Sequence, residues 1–496
     1  MRTTRYLSAA VALAGVMLST TLPGQTNGYV LQCLSARAAG QGCVTRARDD
    51  VPTDLFRDPA AIAWFQRPAF EANLSAFAPS LTFRNSINAS TADGARHAYP
   101  LGSFAYVGKK ISPRLSWAVG MEPIGGFGSD FKLQHALLGA NQDYESFFAA
   151  MKMGPALAYQ LMPGFTVGVS AYATYAQIRD FRMPFTMPPS SAAGMAAITQ
   201  MDPHYPAMFA NVTELTAFGN SYDFAGWGYG ASLGAAWKVN DALRLSGSWS
   251  PRSKISLDGA TATIDMNRQF EAMFGVLVQE RMVYHGMQAS DAQTSVGQAL
   301  SAAGMNLALG AKSTYQAATE LSEPQTAGAG LSLKLSPRWR VGAEGVWMNW
   351  KAAESVMPFI LTNGDNANVN ILVNGDPTNS NFTYPFPLHW KDTWSGKFGV
   401  EYKASDATTF RAGYLRGNNP VPNNTVFIAF PAISEQAVTA GTGFALLGVP
   451  FEVSVVHALN AHITGVNASH LLGAEYQNSY TTMQQWVLTF GAVWKY

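Results

Sequence analysis

The chain has 496 residues, a formal net charge of +1 and only 13% charged residues, about half the roughly 25% usual in soluble proteins. Its balanced charge gives no basis for nucleic-acid binding, and so few charges, with a mean hydropathy near zero, argue against the surface of an ordinary soluble enzyme. Apolar runs of about 20 residues, which helices need to span a membrane, do not recur.

One apolar run stands at the start. Arg2 and Arg5 precede Leu7–Leu18, and a small, polar stretch, Ser19–Asn27, follows. A basic flank, a short apolar core and a polar exit predict a secretory signal over residues 1–26, cut between Gly24 and Asn27. The other reading is an N-terminal anchor, for which the core is short. Export places Cys33 and Cys43, the only two cysteines, in an oxidising compartment where close cysteines often pair. A disulfide there would staple a short loop. A metal pair is disfavoured because no histidine lies near either cysteine.

Residues 27–68 alternate poorly between apolar and polar. They contain a run of small residues, Ser35–Gly42, and the stretch Arg57-Asp58-Pro59-Ala60. From Ala69 onward strand-like alternation sets in. The last stretch is the cleanest: Trp486, Leu488, Phe490, Ala492, Trp494 and Tyr496 share one face, and Val487, Thr489, Gly491, Val493 and Lys495 the other. A wholly apolar face with aromatics at both ends suits a strand that closes a barrel in lipid. Phe398, Val400 and Tyr402 alternate with Lys397, Gly399 and Glu401, and Phe451, Val453 and Val455 with Glu452 and Ser454. The charged face of such strands belongs inside, because charge on the lipid face is costly.

The connections carry the architecture. Tight turns at Ser112–Arg114, Met162–Gly164, Val239–Asp241, Ser336–Arg338, Ser405–Ala407 and Gly448–Pro450 alternate with long segments. The long ones are Asn85–Pro100, Gly125–Met151, Arg182–Ala225, Leu257–Pro324, Lys351–Lys391, Asn418–Ser434 and Asn460–Gln485. Outer-membrane barrels have short periplasmic turns and long extracellular loops, so the rhythm predicts an all-β transmembrane antiparallel barrel of about fourteen strands over residues 69–496. Residues 27–68 then become an N-terminal hatch plugging the lumen, with a flexible periplasmic tail as the alternative.

At this point the residues resemble a family. Phe56-Arg57-Asp58-Pro59-Ala60-Ala61-Ile62-Ala63-Trp64-Phe65, followed by Arg67-Pro68-Ala69-Phe70, is similar to the hatch signature of the FadL-type (OMPP1/FadL/TodX) outer-membrane transporters of long-chain fatty acids and aromatic hydrocarbons. Asp58 stands where that family prefers Asn, which keeps an acceptor and loses a donor. Further matches are Glu122-Pro123-Ile124-Gly125-Gly126-Phe127-Gly128, Gly226-Trp227-Gly228-Tyr229-Gly230, and Gly413-Tyr414 followed by Asn419-Pro420-Val421-Pro422. The resemblance implies a plugged monomeric barrel. Ligand is captured between outer loops, passes to a lumen pocket and leaves sideways through a kinked third strand at Pro123, Gly125, Gly126 and Gly128. Pro and Gly have the chemistry to interrupt a ladder, although an ordinary loop start would also use them.

Two segments show apolar residues at helical spacing. One holds Leu133, Leu137, Leu138, Tyr144, Phe147, Phe148 and Met151; the other Phe270, Met273, Phe274, Leu277, Val278 and Met282. Two loop helices packed on each other, or a Met- and Phe-lined groove for a greasy ligand, would both explain them. Arg179 and Arg182, with Phe185 beyond them, stand near the family's internal basic contact to a carboxylate. Pairing with hatch acids such as Asp49 or Asp50 is the competing role. The family's second lysine has no counterpart, and Met357 falls near its place.

The eight histidines are scattered without metal-ligand spacing, and no phosphate-binding loop is present, so no metal or cofactor is expected. The expected partners are a hydrophobic small molecule (a fatty acid or a hydrocarbon) and the lipid and lipopolysaccharide of a Gram-negative outer membrane. A general diffusion porin is the alternative function, and an outer-membrane lipid-modifying enzyme a more distant one.

Overall fold

The structure, a computed structural model, describes residues 26–88, 92–94, 99–134, 141–182, 217–218, 222–430, 432–446, 449–466 and 476–496. Residues 1–25 of the signal segment lie outside them. The wall begins with β1 (Ala69–Arg84), β2 (Tyr99–Val107), β3 (Leu115–Gln134), β4 (Asn141–Met162), β5 (Phe165–Arg182) and β6 (Tyr222–Lys238). Four further staves each run in two segments. These are β7 (Leu243–Ser250) with β8 (Ser253–Asp265), β9 (Lys312–Glu323) with β10 (Gln325–Lys334), β11 (Trp339–Asn349) with β12 (Val356–Thr362), and β13 (Phe382–Pro387) with β14 (Thr393–Lys403). The wall ends with β15 (Thr408–Gly417), β16 (Gln436–Leu446), β17 (Val449–Thr464) and β18 (Tyr480–Lys495).

Every neighbouring pair is antiparallel. β18 returns to β1 from Tyr480↔Arg84 to Lys495↔Ala69, closing a 14-strand barrel. Closure leaves no edge for lipid to meet. Two of the breaks within staves coincide with proline, which cannot donate to a ladder: Pro251 and Pro324 both lie in the gap between Ser250↔Thr326 and Ser253↔Glu323.

Alternation sorts the side chains as the barrel requires. Trp486, Leu488 and Phe490 of β18 point outward and are exposed, while Val487 and Thr489 are buried in the lumen. Tyr175 meets Trp227 and Trp347 meets Trp394 on the upper part of the outer face, and Trp339 meets Tyr402 near the short turns. Trp339 and Trp347 are eight residues apart on β11. At about 3.3 Å per residue and a tilt of about 45°, that is roughly 20 Å between two aromatic girdles.

Residues 26–65 lie almost wholly buried inside the ring. Helix α1 (Ala36–Gly40) is capped by the Ser35 hydroxyl, which accepts from the Arg37 amide. The disulfide between Cys33 and Cys43 encloses that helix. The small-residue run is explained by contact. A Cβ on Gly40 would stand 3.0 Å from the Gly441 Cα, and one on Gly42, at φ +66°, would run into the Phe398 carbonyl.

Two expectations fail here. The described apolar residues between Leu133 and Met153 form no helix: Leu133 lies in β3, and Phe147, Phe148 and Met151 lie in β4. A strand that is apolar on both faces reads as a continuous run that mimics helical spacing. The supposed long loop Gly125–Met151 is accordingly strand on both sides, with only 135–140, including Leu137, outside the described residues. The second segment is helical: α2 (Asn267–His285) packs on α3 (Ala289–Ala302) between β8 and β9, and α4 (Ala367–Asn374) lies between β12 and β13.

Candidate functional site

The chemistry of interest begins with a missing ladder. β2 pairs with β3 only from Val107↔Ala118 to Phe104↔Met121. Beyond that point Tyr99–Ser103 have no partner on β3, although they stay paired with β1. The cause is local. Between Pro123 and Gly125 the pairing of β3 with β4 slips by one residue, with Ile124 as the extra residue. A bulge bends its strand and reverses which side chains face in. Below it Gly120 and Glu122 point inward; above it Ser129, Phe131 and Leu133 do.

The result is a framed window. Its sill is the Phe104↔Met121 pair. Its lintel is Tyr99, whose ring centroid is 5.5 Å from that of Phe147 on β4. A cavity of about 470 Å³ fills the frame and is lined by Pro100, Gly102, Pro123, Gly126, Ala149 and Met151 among others. On the lumen side it reaches Leu31, Phe77 and Phe148; on the outer side it reaches Phe147, Gln177 and Arg179. The described wall residues around it are mainly apolar. An apolar passage of this kind suits a hydrophobic ligand of small cross-section.

The hatch touches β3 on both sides of the bulge. Val30 pairs with Gly125 above it, and the Arg57 guanidinium donates to Glu122 at 2.6 Å below it. A Cβ on Gly125 would strike the Tyr29 carbonyl, so glycine is required for this approach. Tyr29 itself is buried among Phe148, Trp350 and Trp390, and its hydroxyl donates to the Ser322 carbonyl at 2.6 Å. Leu31 separates the window cavity from a smaller one of about 80 Å³, whose lining includes Arg46, Arg57, Lys152 and Lys397.

Elsewhere the hatch is held by buried charge. Glu344 of β11 accepts from the Thr45 and Arg46 amides at 2.8 and 3.0 Å, from the Arg46 guanidinium at 2.6 Å and from Lys397 at 2.9 Å. Glu452 takes Arg37 and Arg411, and Asp50 takes Arg48 and Arg340 at 3.0 Å each. Glu71 accepts from the Ser35 and Thr53 hydroxyls at 2.6 and 2.8 Å. Asp58, in the signature Asp58-Pro59-Ala60, accepts from the Ser246 hydroxyl at 2.7 Å and the Ala47 amide at 2.9 Å. Burial raises its carboxyl to about 6 despite these bonds. Buried ion pairs of this sort fix position more than they add stability.

The two arginines read as lumen contacts are not in the lumen. Arg179 points outward and is exposed, with its guanidinium 5.0 Å from the centre of the Phe147 ring. Arg182 is exposed and lies 3.9 Å from Glu145. Neither reaches Asp49 or Asp50, which pair with Arg244 and with Arg37, Arg48 and Arg340. Strand parity decides this: from the inward-facing Tyr172, residues 175, 177 and 179 fall on the other face. Phe185 lies outside the described residues.

The loop-side residues separate likewise. Phe270, Met273 and Leu277 of α2 are buried against Val296, Leu300, Met305 and Ile371, with Phe274 partly buried beside them. They do not face Phe147 or Met151, which are on the outer wall. The two-helix groove is therefore not formed as expected. A feature absent from the sequence reading is the segment Phe427–Phe430, which folds inward and is buried, its Ala429 carbonyl accepting from the Ser146 hydroxyl at 2.7 Å. Phe427 meets Phe386 at 4.6 Å, and Phe430 meets Phe181 at 5.9 Å. Only the Pro-rich start of that segment hinted at it.

Comparison with known proteins places this arrangement. The profile of a family described as outer membrane protein transport protein (OMPP1/FadL/TodX) matches residues 17–495. A long-chain fatty acid transport protein of Shigella flexneri is 21% identical over 476 residues, covering 93% of this chain and 94% of its own. One from Escherichia coli K12 is 21% identical over 481 residues, with the same coverage. Among solved structures, a Pseudomonas aeruginosa FadL homologue superimposes with a TM-score of 0.68 at 13% identity, covering 94% of this chain and 99% of that one. The Pseudomonas putida toluene transporter TodX gives 0.62 at 14% identity, with the same coverage.

Proposed function

This chain belongs to the OMPP1/FadL/TodX family of outer membrane transport proteins, and from that premise we propose that it admits hydrophobic small molecules, long-chain fatty acids or hydrocarbons, through a side exit in its wall. The family and the barrel fold imply the outer membrane of a Gram-negative bacterium. Residues 1–26 serve as the export signal, 27–68 as the hatch and 69–496 as the barrel.

In this reading ligand is gathered among the extracellular loops, where Met282, Val283 and Tyr284 at the end of α2 present exposed apolar surface. It enters the lumen past the aromatic cluster of Phe427 and Phe430 and leaves between Tyr99–Ser103 and Pro123–Gly126. The observation that carries the reading is the framed gap between β2 and β3, with its apolar cavity of about 470 Å³. Transport needs no nucleotide, because transfer of an apolar solute into lipid is itself favourable. A hatch held by buried ion pairs keeps water and ions from following. Gene deletion tests this: uptake of labelled oleate, of toluene, or of both should fall severalfold and return on complementation. Unchanged uptake of both probes would sink the proposal.

A further inference from the structure

The outer rim of the window carries a feature that passage of a ligand does not require. Arg179 lies on the outward face of β5, four residues beyond Tyr175, which marks the upper aromatic girdle with Trp227. At about 3.3 Å per residue on a tilted strand, its backbone stands roughly 10 Å further toward the cell exterior. Its guanidinium rests on the Phe147 ring at 5.0 Å, and among the described residues no carboxylate pairs with it. A guanidinium just above a girdle is at the height of lipid headgroups. Gln177, on the same face two residues below, adds a hydrogen-bonding group to the same cavity.

We propose that the window is the seat of one phosphorylated outer-leaflet lipid, the chemistry of the lipopolysaccharide anchor, with its phosphate on Arg179 and an acyl chain in the cavity. This rests on the reading that the gap between β2 and β3 opens to the membrane. Two independent features support the occupant. The guanidinium presents a planar fork suited to phosphate oxygens. The cavity below it is apolar, joins the lipid face, and offers water few polar partners. A chain from the surrounding leaflet satisfies both at once. The resident lipid then acts as a cork that a departing ligand exchanges with, and the hatch need not seal the outer side of the window.

The test is native mass spectrometry of the full chain, extracted from outer membranes in mild detergent. The expected result is one phosphorylated lipid retained per barrel. Arg179→Gln should lower the retained fraction at least fivefold. Gly102→Phe should do the same by a different route, because a Cβ at Gly102 meets nothing within 4 Å and its ring would fill the cavity. Heat-shifted gel migration verifies that both variants fold. Equal retention in both variants and the parent overturns the proposal, as does retention of an unphosphorylated fatty acid in its place. Loss of lipid in both variants with uptake unchanged would uphold the seat and count against side exit, so the two readings fail separately.

Discussion

The backbone of Val30 in the hatch pairs with that of Gly125 in β3, so the plug contributes a bridge to the very strand that β2 leaves unpaired. Wall and plug are thus one hydrogen-bonded unit at the window. The hatch strand Val30–Leu31 meets the bulged strand directly at the edge of the gap, and Leu31 lines both cavities.

The two kink glycines should respond differently to valine. At Gly126 an added Cβ meets only the Phe148 carbonyl, at 3.1 Å, whereas at Gly125 it runs into the Tyr29 carbonyl. Gly126→Val should narrow the window and slow uptake of labelled oleate or toluene severalfold, with the hatch in place. Gly125→Val should displace the hatch strand and add ion leak. Planar-bilayer conductance beside whole-cell uptake distinguishes them; identical behaviour of the two variants would show that the contact with Tyr29 is unimportant.

Asp58 should make hatch docking pH-dependent. Its carboxyl sits near the ordinary 3.8 when undocked and is raised to about 6 by burial in the hatch. A raised carboxylate favours the protonated form, so its contribution is fully present below about pH 4 and is lost as pH rises through 6. At about 1.4 kcal/mol per pKa unit the span is about 3 kcal/mol. Asp58→Asn, neutral at every pH, should flatten the profile, and its Tm advantage over the parent should grow between pH 5 and 7. Parallel Tm profiles would refute this.

Glu344 anchors the hatch through the Thr45 and Arg46 amides and the Arg46 guanidinium. Its removal as Glu344→Ala leaves the Arg46 and Lys397 charges buried without their shared partner. Breaking a buried pair in this way costs about 3–5 kcal/mol. The expected outcome is a barrel that still folds but conducts ions in a planar bilayer, approaching the conductance of a chain lacking residues 27–68. A parent channel with large steady conductance that neither change alters would instead favour a general porin.

The barrel itself was legible because its physics is local. Alternation in β18 and the turns near Ser112 and Ser336 depend on residues close in sequence. The hatch signature and the Pro123–Gly126 kink were likewise visible as composition. The segment from Leu133 to Met153 was misread for a definite reason. Lipid and lumen both demand apolar side chains, so the two faces of β4 cannot be told apart by hydropathy.

What the sequence by itself determined is therefore a barrel of alternating strands with a weak point in the third strand. Only the tertiary structure decided what that weak point means. Closure of β18 on β1, the one-residue slip at Ile124 and the seating of Val30 against Gly125 join residues far apart along the chain. The slip reverses facing beyond it, and strand parity sends Arg179 outward while the hatch arginines find Glu122, Glu344 and Glu452. Register and long-range pairing fix which side of a wall a residue occupies, and neither is encoded in the local pattern that reveals the strands.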